Sequence, residues 1–274
     1  MSDLSAVRLL YDATLIFYAV SLTLFFSDVL QPRRSVNRSA VVLLFVAFLS
    51  VTGLLFEEFH MLHVLPAYTR SNLMLLIAWM MLVTTLVLDT FFRIGLVLFF
   101  TNVLGFVIVL VAGYRQGADE LRWFPNQDLL LLHVVLAMLS EVAFSFAFVF
   151  AVMHILQEGN LRKKRWNRWF ILLPSLGKLD SLCLITASTG FFLLFAGMAV
   201  GDLWGKLVLG QWIVWSPKPI ASIATWMMYG VYLVLHGRLR PNIRGLMRYQ
   251  VICFVATIVN LVAIGNVSPF HHGV

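Results

Sequence analysis

Long apolar runs recur along the whole chain, and short polar or charged stretches separate them. Each run is continuous rather than alternating, which is typical of a membrane-spanning helix and not of a membrane-barrel strand. The pattern predicts an all-α bundle of eight transmembrane helices in a single integral-membrane domain, residues 1–274. The predicted spans are residues 8–28, 39–59, 72–91, 94–113, 129–157, 181–203, 219–236 and 248–267.

The composition supports a membrane location. Hydrophobic residues make up 61% of the 274 residues, charged residues only 12%, and the mean hydropathy is +0.90. A soluble domain of this size cannot cover its surface with so few charges. Because lipid offers no hydrogen-bond partner to the backbone, each continuous run is expected to be helical. The composition therefore predicts a multi-pass protein of the cell (cytoplasmic) membrane, with the lipid bilayer as a partner.

The distribution of cations between the loops predicts the orientation. One set of loops holds fourteen of the twenty Lys and Arg residues, and the other holds six. Loops rich in Lys and Arg face the cytoplasm, so both termini are predicted to lie outside the cell. The first set is Arg33, Arg34, Arg38, Arg93, Arg162, Lys163, Lys164, Arg165, Arg168, Lys178, Arg238, Arg240, Arg244 and Arg248. The second set is Arg8, Arg70, Arg115, Arg122, Lys206 and Lys218.

The most basic stretch is LRKKRWNRWF, residues 161–170. Tryptophans between cations occur in nucleic-acid-binding segments, but they also occur in helices that lie on anionic headgroups. The second interpretation fits the apolar surroundings better, with Trp166 and Trp169 in the membrane interface. We therefore expect no nucleic-acid partner.

Motifs for bond-making chemistry are absent from the sequence. Cys183 and Cys253 stand far apart, and neither belongs to a C-x-x-C or C-x-x-C-H motif. Dithiol exchange and covalent haem attachment of the c type are therefore not expected. No paired nucleophile and base and no hydrolytic metal motif is present. The sequence predicts a binding protein without catalytic residues rather than an enzyme.

The histidines fall into an outer and an inner layer. His133 begins the fifth span and His154 ends it, 21 residues later. A helix of that length measures about 31 Å, so these two residues cannot bind one metal ion. An outer site would combine His133 with His271 or His272, and an inner site would combine His154 with His236. Two imidazoles commonly hold haem iron, although histidines at membrane boundaries can also simply sit in the interface.

The segment from Trp204 to Trp226 carries four of the eight tryptophans. A porphyrin is a flat apolar disc with two carboxylates on one edge, so flat rings and nearby cations suit it. An ordinary aromatic belt at the membrane surface is the alternative explanation. The candidates for stacking on haem are Trp204, Trp212 and Trp215, and the candidates for binding its propionates are Lys206 and Lys218.

Glu141 lies in the middle of the fifth span, where an ionised carboxylate is costly. By helical periodicity it shares a face with His133, Ser140, Phe144 and Phe148, and this face is predicted to point into the bundle. A structural hydrogen bond and a role in lining a ligand cavity both remain open for Glu141.

The tryptophan segment resembles the haem-handling loop of the CcsA/CcmC cytochrome c assembly family. The matching residues are Gly210, Trp215, Pro217, Lys218, Thr225 and Trp226, whereas Ser216 stands where the family has aspartate. The stretches 99–106, 131–152 and 176–182 resemble the HemX-type branch of this family. The resemblance covers nearly the whole chain and implies a CcsA-like helical domain.

The resemblance also implies a ligand. The family binds haem b non-covalently at the outer face, with one histidine at the position of His133 and another after the last span, where His271 and His272 lie. A further family histidine corresponds to Val234, two residues before His236. As implied partners, haem comes first, and another cytochrome c assembly protein or a cytoplasmic haem-biosynthesis enzyme second.

Two other functions remain open at the level of the sequence. A HemX-type protein is expected to regulate haem biosynthesis by lowering the abundance of glutamyl-tRNA reductase, without transferring haem. Because that enzyme is cytoplasmic, it would contact residues 158–180 or 237–248. Alternatively, the chain is a transporter with Glu141 in the translocation path.

Overall fold

The computed structural model describes the chain except for residues 1, 32, 63–69, 92–94, 115–126, 165–172, 211, 213–216, 239–242 and 263–274. The part of the chain that the structure describes is built from eight α-helices. They are α1 (Ser2–Leu30), α2 (Arg34–Leu62), α3 (Arg70–Phe91), α4 (Gly95–Tyr114), α5 (Gln127–Arg162), α6 (Leu176–Leu209), α7 (Pro217–Arg238) and α8 (Ile243–Val262).

Each predicted span overlaps one of the eight helices of the described residues, so the prediction of an all-α fold is confirmed. Five helices of the described chain are long and apolar enough to cross a membrane, which agrees with a multi-pass membrane protein. The five segments are Val7–Leu30, Arg34–Glu57, Asp128–Arg162, Leu176–Val208 and Pro217–Arg238. Shorter apolar segments lie in α3 and α4. Eight crossings with both termini outside remain a prediction.

The contacts divide the chain into two units, residues 1–123 and 124–274. In the first unit α1 packs against α2 and α4, and α3 packs against the same two helices. The buried Tyr11 hydroxyl donates a hydrogen bond to the Val109 carbonyl at 2.6 Å and so joins α1 to α4. The Ser21 hydroxyl donates to the Ala40 carbonyl at 2.8 Å and joins α1 to α2. Polar side chains thus connect helices whose surfaces are otherwise apolar.

The second unit contains α5 to α8. Helix α5 packs against α6 and α8, and α7 packs against the same two helices. The Phe144 ring of α5 stacks on Tyr229 of α7 with 3.7 Å between centroids, and both are fully buried. Phe148 of α5 stacks on Phe254 of α8 at 4.5 Å. These contacts confirm that the face of α5 predicted to be internal points into the bundle.

Candidate functional site

The His133 ring of α5 lies against two glycines of α6. A Cβ atom added to Gly201 would lie 2.6 Å from His133 Nδ1 and 2.8 Å from Cε1, closer than side chains approach each other. A Cβ atom on Gly197 would lie 3.3 Å from the Ala137 backbone nitrogen of α5. Gly197 and Gly201 are four residues apart and therefore share one face of α6. This small-residue pair gives the imidazole a place between the helices.

A hydrogen bond fixes the orientation of the His133 ring. Its Nδ1 atom lies 2.7 Å from the Gly197 carbonyl oxygen. A carbonyl oxygen can only accept, so Nδ1 carries the hydrogen and the lone pair of the neutral ring is on Nε2. Histidines that bind metals typically donate their other ring N–H to such a group. The unprotonated Nε2 atom of His133 can therefore act as a metal ligand.

Lys218 and Glu141 belong to the same neighbourhood as His133. The positive charge of Lys218, in the first turn of α7, acts on both His133 and Glu141 of α5. Its Nζ atom donates a hydrogen bond to the Asn260 carbonyl of α8 at 3.0 Å. The Asn260 side-chain amide donates to the Ser222 hydroxyl of α7 at 3.3 Å. One cation of α7 therefore acts through its charge on both an imidazole and a carboxyl group of α5.

Lys206 and Trp212 form a second group of candidates. Helix α6 ends at Gly210, whose left-handed backbone (φ 73°) returns its N–H to the Lys206 carbonyl. The Lys206 ammonium donates to the Gly210 carbonyl at 3.2 Å and lies 5.5 Å from the centre of the Trp212 ring. Trp212 is 58% exposed, so one large flat face is available to an apolar ligand.

The segment between α6 and α7 is shorter than the sequence pattern predicts. The predicted spans end at 203 and restart at 219, but α6 continues to Leu209 and α7 begins at Pro217. Trp204 is consequently a half-buried helical residue of α6. Trp226 is a residue of α7 whose ring stacks on Phe191 at 4.8 Å. The predicted site residues Trp215, His271 and His272 lie outside the described residues, as do Trp166 and Trp169.

The inner candidates lie at the opposite end of α5. His236 Nε2 is 2.8 Å from Asp180 Oδ1, a hydrogen bond that joins α7 to α6. Val234 is 55% exposed, so His236 rather than Val234 faces the bundle. His154 is buried, and among the described residues its Nδ1 atom has no hydrogen-bond partner. Only His236 contacts Asp180 directly, whereas the Asp180 and Glu158 carboxylates act on His154 through their charge.

Charged residues and a cavity complete this inner end. Glu158 of α5 pairs with Arg162 at 2.8 Å and with Arg244 of α8 at 3.6 Å. A cavity of about 320 Å³ is present nearby. The residues that line it are Asp180, Ser181, Leu184, His236 and Ile243.

Sequence reasoning missed the partners of the histidines. Gly197 and Gly201 carry a recognisable signal, because two glycines four residues apart in an apolar helix mark a close helix contact. Asp180 carries a weaker sequence signal, because it is a single acidic residue next to the start of a predicted span. No sequence feature points to Asn260. Lys218 donates a hydrogen bond to its backbone carbonyl, and every residue has such a group.

Comparisons with known proteins place the chain in a family. Residues 67–267 match the family described as cytochrome c assembly protein. The chain is 30% identical to protein HemX of Brevibacillus brevis over 270 residues, covering 98% of this chain and 99% of that protein. It is 28% identical to protein HemX of Bacillus subtilis (strain 168), covering 97% and 98%.

Two further similarities cover less of the related protein. Cytochrome c biogenesis protein CcsA of Prochlorococcus marinus (strain NATL1A) is 33% identical over 97 residues, which is 32% of this chain and 30% of that protein. The solved structure of cytochrome c heme lyase CcmF superposes with a TM-score of 0.66 at 19% identity. That superposition covers 93% of this chain and 46% of CcmF, and it shows a shared helical fold. The family match and the full-length similarity to HemX proteins together establish that the chain is a HemX-type member of the cytochrome c assembly family.

Proposed function

We propose that the chain is a haem-handling protein of the cytoplasmic membrane that binds haem b non-covalently at its outer face. The residues that would hold the haem iron are His133 and one histidine of the His271–His272 pair. The observation that carries this proposal is the hydrogen bond from His133 Nδ1 to Gly197, which leaves the Nε2 lone pair for a metal. The family match, the HemX relatives and the fold shared with a haem lyase support it.

The described residues fit the chemistry of haem. An apolar macrocycle needs a flat surface, which the exposed ring of Trp212 offers. Its propionates need cations, and Lys206 lies beside that ring while the charge of Lys218 acts on His133. When bound, haem would supply an iron that accepts imidazole nitrogen. The protein side chains bind and orient it, and we propose no bond-making step.

The absorption spectrum tests this function. We expect the detergent-purified protein to show a Soret band, or to acquire one on titration with haem at one haem per chain. The reason is that imidazole ligation shifts the haem spectrum away from that of free haem. The matched control is the same titration after denaturation, which removes the helix packing that orients His133. A native protein that titrates like its denatured control would contradict haem binding.

Topology makes a separate prediction. An outer haem site requires both termini outside, in agreement with the asymmetry of fourteen against six cations between the loops. A cysteine added after His272 should therefore react with an impermeant thiol reagent on intact cells. The internal control is Cys183, which is fully buried and should not react. Labelling only after lysis would place this terminus, and with it the proposed site, on the cytoplasmic side.

A regulatory function is the second candidate. The similarity to HemX proteins spans the full chain, whereas the similarity to CcsA covers only 97 residues. The resemblance to HemX implies control of glutamyl-tRNA reductase abundance through the surfaces 158–180 or 237–248. Co-purification of that enzyme with the wild-type protein, lost when Arg162, Lys163 and Lys164 are neutralised, would favour this function. The haem titration is independent of that result, so the two candidates can be separated.

A further inference from the structure

The inner end of the second unit carries an excess of positive charge. Helices α5 and α7 end there and α6 and α8 begin there, since Glu158 contacts Arg244 and His236 contacts Asp180. The described residues 154–164, 176–181, 236–238 and 243–248 of this end include seven cations and two acids. The cations are Arg162, Lys163, Lys164, Lys178, Arg238, Arg244 and Arg248, and the acids are Glu158 and Asp180. Such an excess attracts an anionic partner.

One carboxylate brings two of these cations together. Glu158 Oε1 accepts a hydrogen bond from Arg162 Nε at 2.8 Å within α5. Glu158 Oε2 lies 3.6 Å from Arg244 Nε of α8. Each guanidinium group has further N–H groups that can donate to a second anion. The Arg162 side chain is 64% exposed and the Arg244 side chain 31%, so both can be reached from outside the bundle.

Arg244 belongs to a row of residues on one face of α8, which we call the α8 stripe. Successive members are three or four residues apart, so they lie one above the other along the helix. The members are Arg244, Arg248, Ile252, Val255 and Val259. Arg248 is exposed, and the three aliphatic side chains are 56%, 54% and 49% exposed. Helix α8 thus presents two arginines, followed by aliphatic side chains, to its surroundings.

The length of the α8 stripe matches one leaflet of a bilayer. Arg248 and Val259 are separated by a helical rise of about 16 Å. The hydrocarbon core of a bilayer is about 30 Å thick, so one leaflet contributes about 15 Å. A phospholipid has its groups in the same order, with a phosphate at the membrane surface and apolar chains that fill one leaflet. The stripe is therefore complementary to one phospholipid along its whole length.

We propose that the α8 stripe, together with Arg162, binds one anionic phospholipid of the cytoplasmic leaflet. The three arginines donate hydrogen bonds to phosphate oxygens, and one acyl chain lies along the three aliphatic side chains. Guanidinium groups suit this role because they bind phosphate through paired hydrogen bonds, and basic sites between helices on the cytoplasmic side recognise anionic headgroups. A zwitterionic headgroup carries a cation of its own, which the positive charge of this end repels. The proposal does not depend on haem binding.

This site differs from the general contact with headgroups that is predicted for the basic stretch 161–170. The two share only Arg162, and the other residues of the site belong to α8. Attraction of a basic segment to a charged surface has no fixed stoichiometry. Here Glu158 holds one arginine of α5 and one of α8 against the same carboxylate. The site therefore predicts one bound lipid per chain.

Native mass spectrometry of the haem-free protein in detergent tests this site. The probes are dioleoylphosphatidylglycerol and dioleoylphosphatidylcholine, titrated separately, and the complex with one lipid per chain is measured. We expect phosphatidylglycerol to bind about tenfold more tightly or better, and Arg244→Gln and Arg248→Gln each to weaken its binding about fivefold, the usual contribution of one cation near an anionic lipid. Arg248→Gln leaves both contacts of Glu158 intact, so it tests the site even if Arg244→Gln disturbs folding.

The matched control is Lys178→Gln. It removes one positive charge from an exposed position at the same end, but from α6, which packs against α5 and α7. Its affinity for phosphatidylglycerol should remain close to the wild-type value. A second control uses glycerol phosphate, which has the phosphate group without acyl chains. It should not displace the bound lipid, because it cannot contact the aliphatic part of the stripe.

Several results would overturn the proposal. Equal affinity for the two lipids would show that the arginines do not select an anionic headgroup. Unchanged binding in Arg248→Gln, or an equal loss in Lys178→Gln, would show a general effect of charge without a defined site. Displacement by glycerol phosphate would indicate a site for free phosphate esters, and dimers that exclude lipid would assign the stripe to a contact between two copies. Because haem is absent throughout, the haem titration can fail while this site is confirmed.

Discussion

Replacing His133 with alanine is expected to abolish the Soret band of the haem-loaded protein, or to shift it to the spectrum of a weakly bound, five-coordinate haem. The substitution removes the one proposed ligand whose orientation the structure defines, through the 2.7 Å hydrogen bond to Gly197. Iron left with a single imidazole loses a coordinate bond and the position that this bond gave it. The measurement is a haem titration followed by absorption spectroscopy.

A matched control separates ligand loss from general damage. Leu132 is adjacent on α5 and is 46% exposed, so Leu132→Ala should leave the titration unchanged. Adding free imidazole to the His133→Ala protein should restore part of the band, because it can occupy the space of the lost ring. A His133→Ala protein with a wild-type spectrum would show that His133 is not a ligand. The simultaneous substitution of His271 and His272 is the corresponding test of the second proposed iron ligand.

The helices were predictable because their physical signal is strong. Lipid forces every backbone group to pair within its own segment, so long continuous apolar runs have few alternatives to a helix. The residues at which the helices end were less predictable. Hydropathy marks where a chain leaves the lipid, whereas α6 continues for six more residues, from 203 to Leu209, until Gly210 adopts a left-handed conformation. The helix end follows from local backbone chemistry rather than from the membrane boundary.

Which residues meet across helices was harder to predict. Helices that are apolar on all sides carry little directional signal, and the one sign of the α6 face that meets α5, the pair Gly197 and Gly201, was not used in the prediction. His133 and Glu141 were nevertheless predicted to be internal, because a polar residue avoids lipid and must turn inward. Their partners were not predicted, since Lys218 lies 77 residues from Glu141 in the chain. The Asp180–His236 hydrogen bond likewise depends on a packing arrangement that hydropathy does not encode.

Gly201→Ala is expected to lower the affinity for haem by about 10–100-fold without removing any ligand, the usual effect of disturbing a group that orients a metal ligand. The added Cβ atom would lie 2.6 Å from His133 Nδ1 and 3.3 Å from Cγ, so the ring must rotate or shift. Either movement weakens the hydrogen bond to the Gly197 carbonyl and changes the direction of Nε2. The dissociation constant from haem titration measures the effect.

Gly177→Ala is the control for this substitution. It makes the same chemical change in the same helix, but its Cβ atom would have no neighbour within 4 Å. Both variants place alanine in the same helix, and only Gly201→Ala brings a Cβ atom against His133. If both variants bind haem like the wild-type protein, the orientation of His133 does not control the site. If only Gly201→Ala binds weakly, the close approach of α5 and α6 is what positions the ligand.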